Sequence, residues 1–255
     1  MISAQDILTK NPPSVKPDYL VTKARSIVRK EGKRALPVVE GGKLVGIVTR
    51  GDILRVTSSK TNLTIAGVMK RNVEVLAPEE ELFSIAKRMT KVGVRQMPVI
   101  ENGALIGMVS ATDVLRKLVE HDYNPVKKQV ADIMIRDIVY CTPEEELSVV
   151  WSKMLSSGFS GFPVLKKKKV IGFVSRRDII KRGYARLSME SGKARASIVS
   201  SVMSPTITTI TEDMSTKDVA KTMVERGIIR VPVVNDKNEL RGIVDMVDIL
   251  RAYAG

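Results

Sequence analysis

Short apolar runs that end in a small polar residue recur four times along this chain. Gly46–Asp52 reads G-I-V-T-R-G-D, and the same form returns at Gly107–Asp113 (G-M-V-S-A-T-D), Gly172–Asp178 (G-F-V-S-R-R-D) and Gly242–Asp248 (G-I-V-D-M-V-D). Each run predicts a strand, and the Asp three places after its last polar residue predicts the opening of a helix. A proline stands 15 residues before Asp52, Asp113 and Asp178, and 16 before Asp248. These prolines, Pro37, Pro98, Pro163 and Pro232, lie in matching apolar runs: A-L-P-V-V, Q-M-P-V-I, G-F-P-V-L and R-V-P-V-V.

Between the repeated runs the pattern fills out one unit of β-α-β-β-α form. A short helix leads in (Ala4–Leu8, Ile65–Met69, Val130–Met134, Ile198–Met203), and a short strand follows (P-S-V, V-E-V-L, I-V-Y-C, I-T-T-I). Acidic stretches (P-D-Y-L, P-E-E-E-L twice, T-E-D-M) predict the start of the next helix, where they suit the positive end of its dipole. Gly32, Gly93, Gly158 and Gly227 fall where that helix should stop. The turns E-G-G-K, E-N-G-A, K-K-K-K and N-D-K-N-E then join two strands. The closing helices are expected over Ile53–Val56, Val114–Val119, Ile179–Tyr184 and Ile249–Tyr253.

The repeats are bounded as 1–60, 61–122, 127–186 and 196–255. A unit this small buries only about 60% of its unfolded surface, so pairing is expected. The linkers S-S-K-T-N, H-D-Y-N-P-V-K-K and A-R-L-S-M-E-S-G-K-A-R favour pairing of the first repeat with the second and the third with the fourth.

Composition narrows the function classes. The chain is 44% hydrophobic and 27% charged, which is globular, and only 4% aromatic, so the cores must be aliphatic. One cysteine, Cys141, and one histidine, His121, exclude an internal disulfide, a Cys or His metal cluster and a His-dependent triad built from this chain alone. Cys141 reads as a small core residue. No apolar run reaches the roughly 18 residues that span a bilayer, and no signal-peptide pattern opens the chain, so a cytoplasmic location is expected. The net charge of +14 belongs to residues 1–62 (+7) and 127–195 (+8), while 63–126 (0) and 196–255 (−1) are balanced. Such a field attracts polyanions, although a solvated Lys-rich surface has the same composition.

The combination of h-P-h-h with G-h-h-[TS]-x-x-D, repeated four times, resembles the CBS domain over nearly the whole chain. The resemblance implies an α/β (α+β) fold of four β-α-β-β-α repeats in two pseudo-twofold tandem pairs (Bateman modules). It also implies a disc-like assembly, as in the gamma subunits of AMP-activated protein kinases. CBS pairs commonly bind adenosine-containing ligands: AMP, ADP, ATP or S-adenosylmethionine.

Two readings of the repeated turn stand side by side. Thr49, Ser110 and Ser175 with Asp52, Asp113 and Asp178 have the spacing of an N-cap with an acid at N3, a stabilising device in its own right. The same geometry offers helix amides and a hydroxyl to a phosphate, and a carboxylate to ribose hydroxyls. The resemblance places ribose on Asp52, Asp113, Asp178 and Asp248. In the fourth copy Asp245 replaces Ser/Thr; it caps equally well but would repel a phosphate, so that site is expected to lack close phosphate contact there. Arg34, Arg95 and Arg230, just ahead of the prolines, and Arg50, Arg176 and Arg177, inside the turns, are candidate phosphate ligands. The resemblance further places the base between the first strand and the proline strand. Backbone near Pro12, Val73, Ile138 and Ile207 would then read its edge, with Leu36, Met97, Phe162 and Val231 as apolar walls or simply core.

No Walker-type glycine loop occurs and no catalytic residue is assigned. The expected function is a non-catalytic regulator that binds adenine nucleotides between paired repeats and reports to an unknown regulated protein. No metal is expected beyond Mg accompanying ATP. A nucleic-acid-binding regulator using the basic first and third repeats, or an S-adenosylmethionine sensor, are the alternatives; homodimerisation is left open.

Overall fold

The computed structural model describes residues 1–56, 62–181 and 197–255. The linker expected at 58–62, apart from Asn62, the linker at 185–195 and the end of the helix expected over Ile179–Tyr184 lie outside them. Two compact units result: residues 1–126 together with 246–255, and residues 127–245.

The first unit contains α1 (Ala4–Ile7), β1 (Thr9–Lys10), α2 (Val21–Glu31), β2 (Ala35–Glu40), β3 (Lys43–Thr49) and α3 (Arg50–Arg55). It continues with α4 (Leu82–Val92), β4 (Gln96–Glu101), β5 (Ala104–Ser110) and α5 (Ala111–Glu120). The second unit holds α6 (Leu147–Ser156), β6 (Gly161–Lys166), β7 (Lys169–Ser175), α7 (Arg176–Lys181), α8 (Thr216–Glu225), β8 (Arg230–Val234) and β9 (Leu240–Asp245). The helix that ends the chain, α9 (Met246–Ala254), packs against α4 and α5 and so belongs to the first unit, although it follows β9 directly in sequence.

Four antiparallel hairpins, β2–β3, β4–β5, β6–β7 and β8–β9, form as the apolar runs require, each with a bulge after the residue that follows the proline. Three of their turns place two successive residues at positive φ: Gly41 and Gly42 (56° and 80°), Asn102 and Gly103 (49° and 81°), and Lys167 and Lys168 (50° and 67°). That geometry matches the strand twist but favours Gly or Asn, and a lysine there carries a conformational cost of roughly 1 kcal/mol.

Two expectations are corrected. The first strand of each repeat is reduced to a single parallel bridge: Val15 to Val38, Leu76 to Val99, Cys141 to Val164 and Ile210 to Val233. The acidic stretches precede their helices, which begin only at Val21, Leu82, Leu147 and Thr216. The reason in both cases is the same exchange between paired repeats. The amides of Ala4 and Gln5 donate to the carbonyls of Glu80 and Pro78, while those of Ile65 and Ala66 donate to Tyr19 and Pro17. In the second unit Val130 and Ala131 donate to Met214 and Glu212, and Val199 and Ser200 to Glu145 and Pro143. Each acidic stretch is therefore a turn whose carbonyls hold the lead-in segment of its partner.

The exchange continues along the third strands. Thr9 and Lys10 pair with Met108 and Gly107 of β5, Lys70 bridges Ile47 of β3, Ile135 bridges Ile243 of β9, and Ser204 bridges Phe173 of β7. This explains the glycine that opens each repeated motif. A Cβ on Gly107 would lie 2.6 Å from Leu8 Cδ1 and 2.9 Å from the Thr9 carbonyl; one on Gly172 would lie 2.8 Å from the Ser204 carbonyl. The cores are shared in consequence. Ile65 is buried with Val15, Leu36, Val38 and Val48, and Val199 and Val202 with Cys141, Phe162 and Val164.

Candidate functional site

At three of the four turns the helix start closes on itself. Thr49 Oγ1 donates to Asp52 Oδ2 (2.5 Å), the Thr49 amide donates to the same oxygen (2.9 Å), and the Asp52 amide returns to Thr49 Oγ1 (3.3 Å). Ser110 with Asp113 and Ser175 with Asp178 repeat this box, with hydroxyl-to-carboxylate distances of 2.6 Å. The first helical amides are also taken: Arg50 N donates to the Arg34 carbonyl (2.7 Å), Ala111 N to Arg95 (2.9 Å) and Arg176 N to Ser160 (2.8 Å). The expected rows of open helix amides are thus largely used by the fold. What each turn presents outward is the second carboxylate oxygen. Oδ1 of Asp52 stands 3.6 Å from Arg55, and Oδ1 of Asp113 stands 3.5 Å from Arg116.

The arginines inside the turns point elsewhere. Arg50 Nη2 donates to the carbonyls of Gly32 (2.6 Å) and Lys33 (2.7 Å), just past the end of α2. Arg176 is buried; its Nη2 donates to Met154 (2.7 Å) and Phe159 (3.1 Å), and its guanidinium lies 5.9 Å from the Trp151 ring. Both arginines close off α-helix C-termini, where the dipole favours a cation. Arg177 remains exposed beside the third turn. Arg34 and Arg95 are half-buried, with their backbones against the first two turns.

The fourth copy is built differently. Arg230 donates from Nε (3.2 Å) and Nη2 (2.9 Å) to Asp245 Oδ2, and from Nη1 to the Gly161 carbonyl (3.1 Å), with the Phe159 ring 5.1 Å away. Both members of the pair are almost fully buried. The carboxylate that replaces Ser/Thr is thus neutralised by the arginine expected to meet phosphate. Gly161 is the residue aligned with Arg230 in the third repeat, and a Cβ there would lie 2.6 Å from Phe173. Asp248, in the first unit, is buried and accepts from Arg251 at 3.0 Å.

Pro12, Val73, Ile138 and Ile207 are all half-buried and occupy one equivalent place. Pro12 lies between Lys10, paired with Gly107, and Val15, bridged to Val38. Val73 lies likewise between Lys70 on Ile47 and Leu76 on Val99. Ile138 lies between Ile135 on Ile243 and Cys141 on Val164, and Ile207 between Ser204 on Phe173 and Ile210 on Val233. Each therefore marks the point where the chain crosses from the partner's sheet to its own. The residues considered as walls, Leu36, Met97, Phe162 and Val231, are fully buried core.

A model of the CBS domain matches residues 4–59, 65–120, 130–184 and 199–255. The chain belongs to the CBS-domain family. The uncharacterized protein MJ1225 of Methanocaldococcus jannaschii is 27% identical over 268 residues, covering 94% of this chain and 95% of its own. Its crystal structure, that of a protein proposed as an archaeal homolog of γ-AMPK, superposes with a TM-score of 0.84 at 24% identity over 98% of this chain and 99% of that one. An uncharacterized conserved protein from Pyrococcus horikoshii superposes with a TM-score of 0.72 at 21% identity, covering 98% and 99%. At these identities the two structures establish the four-repeat CBS fold.

Sequence reasoning found the capping turns of the CBS repeats because all their partners lie within three residues. It missed the Arg230–Asp245 pair, whose partners lie 15 residues apart in sequence, and the exchange between repeats. It also missed a cavity of about 540 Å³ in the second unit, lined by cations from the third hairpin turn and from β9. Among the described residues no helix is long and apolar enough to cross a membrane, and no cluster of three His, Cys, Asp or Glu could hold a metal.

Proposed function

We propose that this CBS-domain protein is a non-catalytic regulator that binds adenine nucleotides (AMP, ADP or ATP) between the paired repeats and passes their occupancy to a partner protein. One observation carries this reading. Pro12, Val73, Ile138 and Ile207 each sit where the chain passes from the partner repeat's hairpin to its own, so a base held there would touch both repeats at once. A ligand with that placement binds one arrangement of the pair better than another and shifts their equilibrium by that difference in affinity. The capping aspartates support the reading, since the carboxylate oxygen not used by the cap is an acceptor suited to ribose hydroxyls. Arg34, Arg95 and Arg177 flank the first three turns and are the cations proposed for the phosphates; Arg50 and Arg176 are bonded to carbonyls, and Arg230 to Asp245.

Calorimetric titration of the full chain with AMP, ADP, ATP and S-adenosylmethionine tests the proposal, with Asp113→Asn as the variant. Asn keeps the cap and loses the carboxylate charge. Nucleotide affinity should fall at least tenfold in the variant with little change in melting temperature. Absence of heat with every adenosine ligand, or equal affinities, would reject the reading. Steeply salt-dependent oligonucleotide binding in their place would favour the nucleic-acid alternative.

A further inference from the structure

The cavity in the second unit lies at the opposite end of the β6–β7 hairpin from the Ser175–Asp178 turn. Ile138 is the one candidate nucleotide residue that lines it. Its cations are Arg136, Lys167, Lys168 and Arg241, and Glu239 is the only acid among its lining residues. Tyr140, Leu165 and Leu240 supply apolar surface. Its volume, about 540 Å³, is that of a small-molecule site.

Hydrogen bonds between the two hairpins frame the site. Lys169 bridges Glu239, the Val170 amide donates to the Asn238 carbonyl (3.0 Å), and Asn238 Nδ2 donates back to Val170 (2.9 Å). The Leu240 amide donates to the Lys168 carbonyl at 3.4 Å. The Asn235 side chain, whose Nδ2 donates to Glu239 Oε2 (2.8 Å), and then the nearby Lys237, Lys168 and Arg241 hold the Glu239 carboxyl below its ordinary range. Arg136 pairs with Glu212 (2.9 Å) at the rim, while Lys167, Lys168 and Arg241 form no ion pair among the described residues.

The lysines are placed against local preference. Positions 167 and 168 correspond to Gly41-Gly42 and Asn102-Gly103 in the first two hairpins, yet both lysines take the left-handed backbone that those residues suit. Two cations thus stand on a costly backbone, beside an apolar floor and an arginine from β9, a placement of the kind found where function uses it.

We infer that this cavity is a second ligand site, for an organic molecule carrying two or more phosphate groups, with its phosphates on Lys167, Lys168 and Arg241 and its apolar part against Tyr140, Leu165 and Leu240. Recognition here is of charge and needs no adenine, and Ile138 is the single residue shared with the proposed nucleotide clefts.

The test uses the full chain with GTP, tripolyphosphate and GMP as probes, beside AMP. In dilute salt GTP and tripolyphosphate should bind with one equivalent, and GMP at least tenfold more weakly. The double variant Lys167→Gly, Lys168→Gly should bind GTP at least tenfold more weakly than the parent, keep its AMP titration unchanged and melt no lower, since two glycines suit the turn. Equal GTP affinity in parent and variant, one-for-one competition between GTP and AMP, or binding of single-stranded oligonucleotides alone would overturn the inference. Loss of AMP binding throughout, with GTP behaving as expected, would reject the adenine clefts and leave this site standing.

Discussion

At the scale of single residues, the capping aspartates show how one side chain serves the fold before any ligand arrives. One carboxylate oxygen of Asp52, Asp113 and Asp178 receives both a hydroxyl and an amide, so replacing any of the three by Ala, which removes that acceptor, costs about 1 kcal/mol of stability. This part of the site was legible because the cap is written in four consecutive residues. The directions of Arg50, Arg176 and Arg230 were not, since each is decided by carbonyls or a carboxylate 15 to 69 residues away in sequence. Cys141 illustrates the opposite case, a residue whose role follows from its apolar neighbours alone. It is fully buried, and burial, with Glu145 nearby, pushes its thiol up to about 12. An unfolded cysteine ionises near pH 8.5, so the folded form binds the extra proton between those values. The stability this contributes is complete below about pH 8.5 and is lost as pH rises toward 12. Denaturant titrations at pH 7 and pH 10 should show that loss, and Cys141→Ala should reduce it; the native thiol should also resist alkylation at pH 8.

At the scale of elements, hairpins and their turns were readable because their partners are close in sequence. The first strands were not, since their backbone groups are divided between two repeats. The glycine of the repeated motif carries that division. In Gly107→Ala the new methyl would meet the Thr9 carbonyl, which cannot turn aside as a side-chain tip can. Overpacking of this kind costs about 1–3 kcal/mol, so the variant should melt several degrees lower in calorimetry. Increased hydrogen exchange should appear at Leu8 to Lys10, on the partner repeat, as well as along β5. Exchange confined to β5 would mean that the close approach is not what requires the glycine.

At the scale of the whole molecule, four CBS repeats were evident from the fourfold motif, but the division into units was not. Pattern places α9 with the fourth repeat, whereas its packing places it on α4 and α5. Met246, Ile249, Leu250 and Tyr253 are all nearly or fully buried. At about 1.5–3 kcal/mol for each large apolar side chain, their burial rivals the 5–15 kcal/mol that separates a whole domain from its unfolded state. A chain shortened to residues 1–245 should therefore bind a hydrophobic dye and be cleaved by protease within residues 82–120, while 127–245 stays protected. Unchanged resistance of 82–120 would show that α9 is dispensable.

Because α9 lies after residues 127–245, the first unit is completed last. As the polypeptide is synthesised at about 5–20 residues per second, its apolar helix surface waits roughly 6–24 s for the segment that covers it. The later-made unit needs no such delay and can assume its structure first. A chaperone that shields exposed hydrophobic surface would therefore engage the nascent protein through α4 and α5, and would be released only once the whole of α9 has been made and packs there.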